Sequence, residues 1–303
     1  MVLNRSWLSP SDYADASINC FVHDLRMSSV SYTIAHCSDI HFGKIAHADV
    51  VPALIDDINA HDVDIVAVSG DLTQRARTGE FQAALAMMQR FDAPTLVVPG
   101  NHDVHPWWRP VRRLLNPLSK YKQLVSDDLT PTVTTSDVAM LGLASAHGAT
   151  IKSGRLTEEA LATMQSFFAR HDQAFRILVV HHHFTTLSKL GAHDIVRDAP
   201  RILQAAGQAK IDLMLCGHLH ISHVEPVEIA PGPHRLVVAS AGTATSSRGR
   251  KSNRGANLYN IIRITDAEFL IEERRYLSKE ERFERDRQTR FERLHHRQSA
   301  PNT

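Results

Sequence analysis

Short β-branched runs alternate with amphipathic stretches along most of this chain, and almost every run ends in small polar residues. From Thr33 onward we read five repeats of this pattern, which predicts a layered α/β domain rather than separate helical and strand halves. The predicted strands of this region are Thr33–Cys37, Val63–Ser69, Thr95–Val98, Val138–Ala144, Ile177–Val180 and Ile211–Cys216.

Composition narrows the class of protein. The chain has 303 residues, 43% hydrophobic and 22% charged, as in globular proteins, which excludes a disordered, collagenous or coiled-coil chain. Its net charge of +1 provides no global field for nucleic acid, so we expect no nucleic-acid partner. Three scattered cysteines indicate a reducing compartment. With no secretory signal in residues 1–25 and no run of about 20 apolar residues, we predict a cytoplasmic protein.

The polar residues that follow the predicted strands are of metal-binding types. In open α/β sheets, ligands bind beyond the carboxyl ends of the strands, where the loops converge. Carboxylates, an amide and imidazoles together suit Mn, Fe, Zn, Co or Ni, and one carboxylate, Asp71, could bridge two ions. Glycines before Asp71, Asn101 and His218 permit close backbone approach. These strand-end blocks are Asp39-Ile40-His41, Gly70-Asp71, Gly100-Asn101-His102-Asp103, His181-His182-His183 and Gly217-His218-Leu219-His220.

Spacing within two of the blocks also favours chelation. Asp39 and His41 are two residues apart, as are His218 and His220, so extended backbone would project each pair to one side. The competing interpretation, a set of core or capping residues, requires the same coincidence at five strand ends. Cys37 and Cys216 are better explained as small buried residues than as ligands. Arg75, Arg155 and Arg248 could hold a phosphate or a base, although a solvated arginine is the default.

The ordered blocks D-x-H, G-D, G-N-H-D, H and G-H-x-H resemble the calcineurin-like metallophosphoesterase superfamily over residues 33–220. The resemblance implies a four-layer α/β/β/α sandwich and two divalent metal ions that activate a water as nucleophile. One ion would take Asp39, His41, Asp71 and His220, and the other Asp71, Asn101, His218 and a histidine of the triplet. We choose His181 for that position and keep His182 as the alternative.

His102 is the expected general acid or electrostatic stabiliser by the same resemblance, and imidazole suits proton transfer near neutral pH. Asp103 could orient it, or could instead cap the helix expected near Pro106. Among the branches of the superfamily, the chain looks most similar to the class III cyclic-nucleotide phosphodiesterases. We therefore expect hydrolysis of a 3',5'-cyclic nucleotide or another small phosphodiester. The continuation Phe184-Thr185, where that group often has prolines, departs from its pattern and leaves the substrate open.

Two other functions remain open. Trp107 and Trp108, beside arginines, could lie on a lipid surface, as in an enzyme resembling UDP-2,3-diacylglucosamine pyrophosphatase. They could also stack a base or simply pack on the fold. A non-catalytic scaffold would lack metal ligands, and none is missing here. Peripheral membrane contact and a homodimer are compatible with the sequence.

The domain organisation follows the same patterns. We expect an irregular extension over residues 1–30, the metallophosphoesterase domain over 31–276 and a charged helical tail over 277–303. Phe283, Phe291 and Leu294 would share one face of that helix, most of which would be solvated.

Overall fold

The computed structural model describes residues 30–150, 153–186, 193–229 and 234–293. Two six-stranded sheets form its centre. The strands are β1 Tyr32–Cys37, β2 Ile65–Val68, β3 Thr95–Val97, β4 Thr132–Thr134, β5 Val138–Leu143, β6 Phe175–Val180, β7 Leu213–Cys216, β8 His223–Glu228, β9 Arg235–Ser240, β10 Leu258–Ile264, β11 Glu268–Leu277 and β12 Arg282–Glu292. The α-helices are α1 Val50–Asn59, α2 Thr78–Met88, α3 Pro110–Leu115, α4 Ser119–Leu124, α5 Glu158–Ala169 and α6 Ala199–Gln208.

Each sheet combines parallel and antiparallel strands. The first has the order β12-β11-β10-β1-β2-β3, in which β1, β2 and β3 are parallel. The second has the order β4-β5-β6-β7-β9-β8, with β5, β6, β7 and β9 parallel. Parallel neighbours end at the same edge, so the polar loops after these strands collect there.

Three apolar cores separate four layers. One core lies between the sheets and contains Ile34, Ile65, Ile177 and Leu213 among others. A second joins α1 and α2 to the first sheet, and a third joins α5 and α6 to the second sheet. This arrangement is the expected α/β/β/α sandwich. No helix in the described ranges combines the length and apolar character that a membrane span needs.

The tail corrects one prediction. Residues Arg282–Glu292 form strand β12, antiparallel to β11, so the expected helix is wrong for this part of the tail. The strand belongs to the first sheet, which therefore runs past residue 276. Nearly all of the predicted extension over 1–30, and Leu294, lie outside the described residues.

Candidate metal centre

Seven side chains meet at the carboxyl edges of the two sheets. The first sheet supplies Asp39 and His41 after β1, Asp71 after β2 and Asn101 after β3. The second sheet supplies His181 after β6, and His218 and His220 after β7. The structure thus brings together all seven residues that the sequence predicts as ligands.

Asp39, His41 and His220 form the first group of ligand atoms, which are buried and lie within 4.8 Å of one another. His41 Nε2 is 3.5 Å from Asp39 Oδ1, and His220 Nδ1 is 3.6 Å from the same oxygen. These separations are too long for good hydrogen bonds, but they are ordinary between two ligands of one ion.

A second group surrounds Asn101. His218 Nδ1 is 3.0 Å and His181 Nε2 is 3.2 Å from Asn101 Oδ1. Two imidazoles and an amide oxygen therefore converge on one point. The Asp71 carboxylate lies between this group and the first, because its Oδ2 is 3.4 Å from His181 Nε2 and 3.5 Å from His41 Nε2.

Both carboxylates are oriented by the backbone. Asp39 Oδ2 accepts a hydrogen bond from the His218 amide, and Asp71 Oδ1 accepts one from the His102 amide, each at 2.8 Å. The other oxygen of each is buried without a hydrogen-bond partner among the described residues, as are His41 Nε2 and His220 Nδ1. Buried polar atoms normally have partners, so four such atoms facing one space are suited to binding a cation.

Two of the histidines are held in one tautomer. His41 Nδ1 donates to the carbonyl of Thr73 at 3.2 Å, and His181 Nδ1 donates to the carbonyl of Ser69 at 2.8 Å. Each ring therefore presents an unprotonated Nε2 to the site when it is neutral. Metal-binding histidines commonly have such a backbone acceptor, which fixes the ring and raises its basicity as a ligand.

The local backbone differs from the extended form expected for the two spaced pairs. Asp39, His41, His218 and His220 all have positive φ, between 51° and 69°. Asp71 also has a positive φ of 55°. Left-handed backbone is uncommon for residues other than glycine and concentrates at functional sites, where surrounding contacts impose it. Ile40 and Leu219, between the ligands, are buried in the cores on either side.

Two glycines allow the loops to approach this closely. A Cβ at Gly100 would lie 2.1 Å from Asp71 Oδ1, and one at Gly217 would lie 1.8 Å from Ser38 Oγ. The Asp71 amide nitrogen would also lie 2.3 Å from the first Cβ, and Asp39 Oδ2 2.5 Å from the second, so the ligand loops themselves would have to move. The requirement for glycine before Asn101 and His218, expected from the sequence, therefore has a specific steric cause.

Burial and neighbouring charges shift the pKa values of the carboxylates and imidazoles in the site. Burial would raise the pKa of Asp71, but His181, His102 and His41 hold it well below its usual range. Burial opposes protonation of His181, yet the charge of Asp71 raises the pKa of this imidazole to about 9. Burial lowers the pKa values of His218 and His220 to about 3. The anionic Asp71 and the neutral His218 and His220 are in the protonation states that metal ligation requires, whereas His181 would have to release a proton when an ion binds.

The histidine triplet divides between different roles. His182 Nδ1 lies 2.9 Å from Ser145 Oγ, and its buried Nε2 has no partner among the described residues. His182 groups with His181 and His218 as a set that could hold an ion, so it stays an alternative ligand. His183 Nε2 instead donates to the Gly217 carbonyl at 3.1 Å, which ties the two loops together.

His102 lies beside this cluster on the loop after β3. Its Nδ1 donates to the Gln74 carbonyl at 2.8 Å, so the backbone of Gln74, and not Asp103, orients the ring. Burial lowers the pKa of His102, which is neutral in this arrangement. Its Nε2 accepts a hydrogen bond from Arg248 Nη1 at 3.0 Å.

Asp103 joins two ligand loops. Its carboxylate accepts hydrogen bonds from the amides of Gly100, Leu72 and Thr73, at 2.9 to 3.1 Å. Burial, followed by the charge of Asp71, raises the pKa of Asp103 to about 6. The carboxylate therefore fixes the loop after β2 against the loop after β3, rather than orienting His102.

One loop of the site has no counterpart among the five sequence blocks. The segment after β9, residues 241–248, carries Arg248 to His102. The usable signal is the apolar run over residues 236–239, followed by a Ser/Thr/Gly-rich stretch that resembles the other strand ends. Of the other two arginines considered, Arg155 is exposed and Arg75 stacks 5.4 Å from the Trp108 ring.

A cavity of about 210 Å³ opens beside the cluster. Its lining includes the half-buried Asn101 and His102, which we call its inner end, and the exposed Trp107, Trp108 and Arg75, which we call its outer wall. The cavity therefore leads from the candidate metal ligands to an aromatic and basic rim.

Comparison with known proteins agrees with this geometry. The sequence profile described as calcineurin-like phosphoesterase matches residues 32–222, which include all seven candidate ligands. The chain belongs to this family. The resemblance inferred from the five motif blocks is thereby confirmed.

Among curated proteins, the chain is similar to two cyclic AMP phosphodiesterases named CpdA. It is 23% identical to the one from Haemophilus influenzae, over 53% of this chain and 56% of that protein. It is 24% identical to the one from Escherichia coli K12, over 53% of this chain and 55% of that protein. The alignments thus span little more than half the length of either relative.

Among solved structures, the fold is similar to that of a purple acid phosphatase from yellow lupin seeds. The TM-score is 0.64 with 12% identity, over 88% of this chain and 54% of that chain. At this identity the similarity concerns the fold alone, which it confirms as that of the phosphoesterase sandwich.

Proposed function

We propose that this chain is a metal-dependent phosphodiesterase that hydrolyses a 3',5'-cyclic nucleotide or another small phosphodiester. The observation that carries the proposal is the group of buried, unpartnered ligand atoms on Asp39, His41, Asp71 and His220. Family membership adds that such a cluster serves phosphoester chemistry.

The donor set fits two divalent ions. Asp39, His41, Asp71 and His220 would hold one, and Asp71, Asn101, His181 and His218 the other, with Asp71 shared. His181 is preferred to His182 because its Nε2 faces both Asp71 and Asn101. When bound, the ions would polarise the phosphoryl group and lower the pKa of a water molecule near it.

The chain's own residues supply binding and proton transfer. His102 lies at the inner end of the cavity. Its Nε2 would first have to take up a proton and give up the hydrogen bond from Arg248 before it could hand that proton to the leaving oxygen. The Gln74 carbonyl holds the other ring nitrogen, so the ring cannot rotate freely. Asp103 accepts hydrogen bonds from the loop of Asn101 and from the loop of Asp71, and it thereby fixes the position of these two residues relative to each other.

The names of the CpdA relatives and the low net charge of the chain both support a small substrate. The CpdA relatives are named for a cyclic nucleotide, and the cavity beside the cluster has two tryptophans in its wall. A net charge of +1 makes a nucleic-acid substrate a poor fit. We further propose a cytoplasmic location, from the cysteine content.

Activity of manganese-loaded protein tests the proposal. Bis-p-nitrophenyl phosphate, p-nitrophenyl phosphate and cyclic AMP would be assayed in parallel. We expect turnover of the diester and of cyclic AMP, and its loss in Asn101→Ala, because the amide oxygen lies between two imidazoles. The exposed Asn116→Ala is the matched control and should behave as wild type. No turnover of any of the three by protein shown to contain metal would reject the phosphodiesterase assignment.

One observation favours a second candidate, a lipid-facing pyrophosphatase or phosphodiesterase. Among the described residues, five of the six exposed large apolar side chains lie within residues 107–115. Residues 104–126 contain five basic side chains and no acidic one. An apolar surface flanked by positive charge is typical of peripheral contact with anionic lipid.

Vesicle binding separates the two candidates. The lipid-facing enzyme would sediment with phosphatidylglycerol vesicles, and Trp107→Ser with Leu115→Ser would abolish this, whereas the exposed control Val30→Ser would not. It would also hydrolyse a lipid pyrophosphate in detergent and leave cyclic AMP intact. Turnover of cyclic AMP without vesicle binding would select the first candidate.

A further inference from the structure

The loop over residues 241–248 is hydrogen-bonded to the loop that carries Asp39 and His41. Ala244 donates its amide to the Ser38 carbonyl at 3.0 Å. The Thr243 hydroxyl donates to the Asp39 carbonyl at 2.7 Å, and the Thr245 hydroxyl donates to the Ile40 carbonyl at 2.6 Å. The backbone leading to Arg248 is therefore fixed relative to the candidate metal ligands.

The Arg248 side chain reaches from this loop to the inner end of the cavity. Its Nη1 donates to His102 Nε2 at 3.0 Å and to Gln74 Oε1 at 3.2 Å. His102 and Gln74 both line the cavity. The guanidinium uses Nη1 for both of these bonds, and Nε and Nη2 make none to the described residues. Three N–H donors on two nitrogens of this half-buried cation thus remain for another group.

Charge indicates what kind of group this is. Asp71 and Asp39 are the acidic residues whose charges act on Arg248, and neither forms an ion pair with it in the described structure. Two dications would outweigh these two carboxylates, which leaves the guanidinium beside a net positive cluster. Such an arrangement is favourable only when an anion occupies the space between them.

We propose that Arg248 is a substrate-binding residue whose guanidinium binds a non-bridging phosphoryl oxygen of the ester. The ligand class is a phosphate diester or monoester anion, for which the planar fork of arginine is well suited. This inference rests on the proposed function, because the metal cluster places the phosphoryl group. Arg248 lies beyond residues 32–222, so the family match does not include it.

Phosphate affinity tests the inference directly. Manganese-loaded wild type and Arg248→Gln would be titrated with inorganic phosphate by calorimetry, with KM and kcat measured on bis-p-nitrophenyl phosphate. Loss of a charge-assisted hydrogen bond should weaken phosphate binding by roughly 10- to 100-fold and raise KM. Arg248→Lys, which keeps the charge but loses the fork, should lie between the two. The exposed Arg250→Gln should equal wild type.

Each alternative outcome has a distinct meaning. If wild type neither binds phosphate nor hydrolyses an ester, the proposed function fails and this inference with it. If wild type does both and Arg248→Gln binds phosphate within about twofold of wild type, Arg248 only positions His102 and the inference is overturned. Metal content and thermal unfolding of Arg248→Gln must match wild type. If Arg248→Gln loses metal and Arg248→Lys binds phosphate as tightly as wild type, the fork is not used and the inference is also overturned.

Discussion

Five of the seven proposed ligands have left-handed backbone, which costs about 1–3 kcal/mol for each residue that is not glycine. Local hydrogen bonds hold this geometry, since the Asp39 amide donates to the Gly70 carbonyl and the His41 amide to the Asp71 carbonyl. The strain brings Asp39 and His41 of one short loop into the same group of candidate ligand atoms, whereas their spacing alone predicts an extended backbone. Sequence spacing identified these residues but not their conformation, because neighbouring loops impose it.

His36 is a buried histidine of β1 that is not a proposed ligand. Its Nε2 lies 2.9 Å from Ser69 Oγ, and burial, opposed by the charge of Asp39, lowers its pKa to about 3. The unfolded chain would bind this proton near pH 6.5. The folded chain binds it only near pH 3, so the contribution of neutral His36 to stability is present above pH 6.5 and is lost as the pH falls.

We therefore predict that His36→Gln reduces the acid sensitivity of the metal-free protein. The free energy of unfolding would depend on pH less steeply by up to about 1.4 kcal/mol per pH unit between about pH 6.5 and pH 4. Urea unfolding across this range measures the slope, with the exposed His47→Gln as control. An unchanged slope in His36→Gln would show that this histidine protonates without opposing the fold.

At the scale of elements, strand β12 completes the first sheet and carries one buried aromatic anchor. Phe283 is 3% exposed, and its ring centroid is 5.2 Å from that of Tyr259 and 5.3 Å from that of Tyr276. Asp57 on α1 binds Arg274 of the adjacent strand β11 at 2.6 and 2.7 Å. The end of the described chain is therefore part of the packed core around α1.

Phe283→Ala should destabilise the protein by about 3–5 kcal/mol, as expected for removal of a buried aromatic ring. Chemical denaturation measures this loss, with the exposed Gln288→Ala of the same strand as control. A change within about 0.5 kcal/mol would instead fit a solvated tail that contributes little to the core.

The same strand shows where sequence patterns stop being informative. Phe283 and Phe291 are eight residues apart, a spacing that repeats on one face of either a helix or a strand. Pairing with β11 makes this segment a strand rather than a helix. Local periodicity carries no information about that pairing. The parallel strands were predictable because apolar runs with polar ends mark them individually. The sequence names Arg248 only as one of three arginines that could hold a phosphate or a base. It does not assign the loop after β9 to the site, because Arg248 lies eight residues beyond the strand.

At the scale of the whole molecule, the candidate site bridges the two sheets. Asp39, His41, Asp71 and Asn101 come from the first sheet, whereas His181, His218 and His220 come from the second. Ions bound by both sets would link the carboxyl edges of the sheets across the apolar core that separates them. Metal binding should therefore stabilise the whole fold rather than the loops alone.

Metal content and thermal unfolding test this arrangement together. We predict two ions per wild-type chain, and a stabilisation of about 4 kcal/mol for each ion when free metal exceeds its Kd a thousandfold. His220→Ala should lose the ion held with Asp39, and Asn101→Ala should lose the ion held with His181, so that each variant retains about one ion. Asp71→Asn should lose both ions and most of the stabilisation, because its carboxylate is the ligand that the two groups share. If Asp71→Asn instead retained one ion at wild-type affinity, Asp71 would serve a single ion, and the two groups would be independent sites.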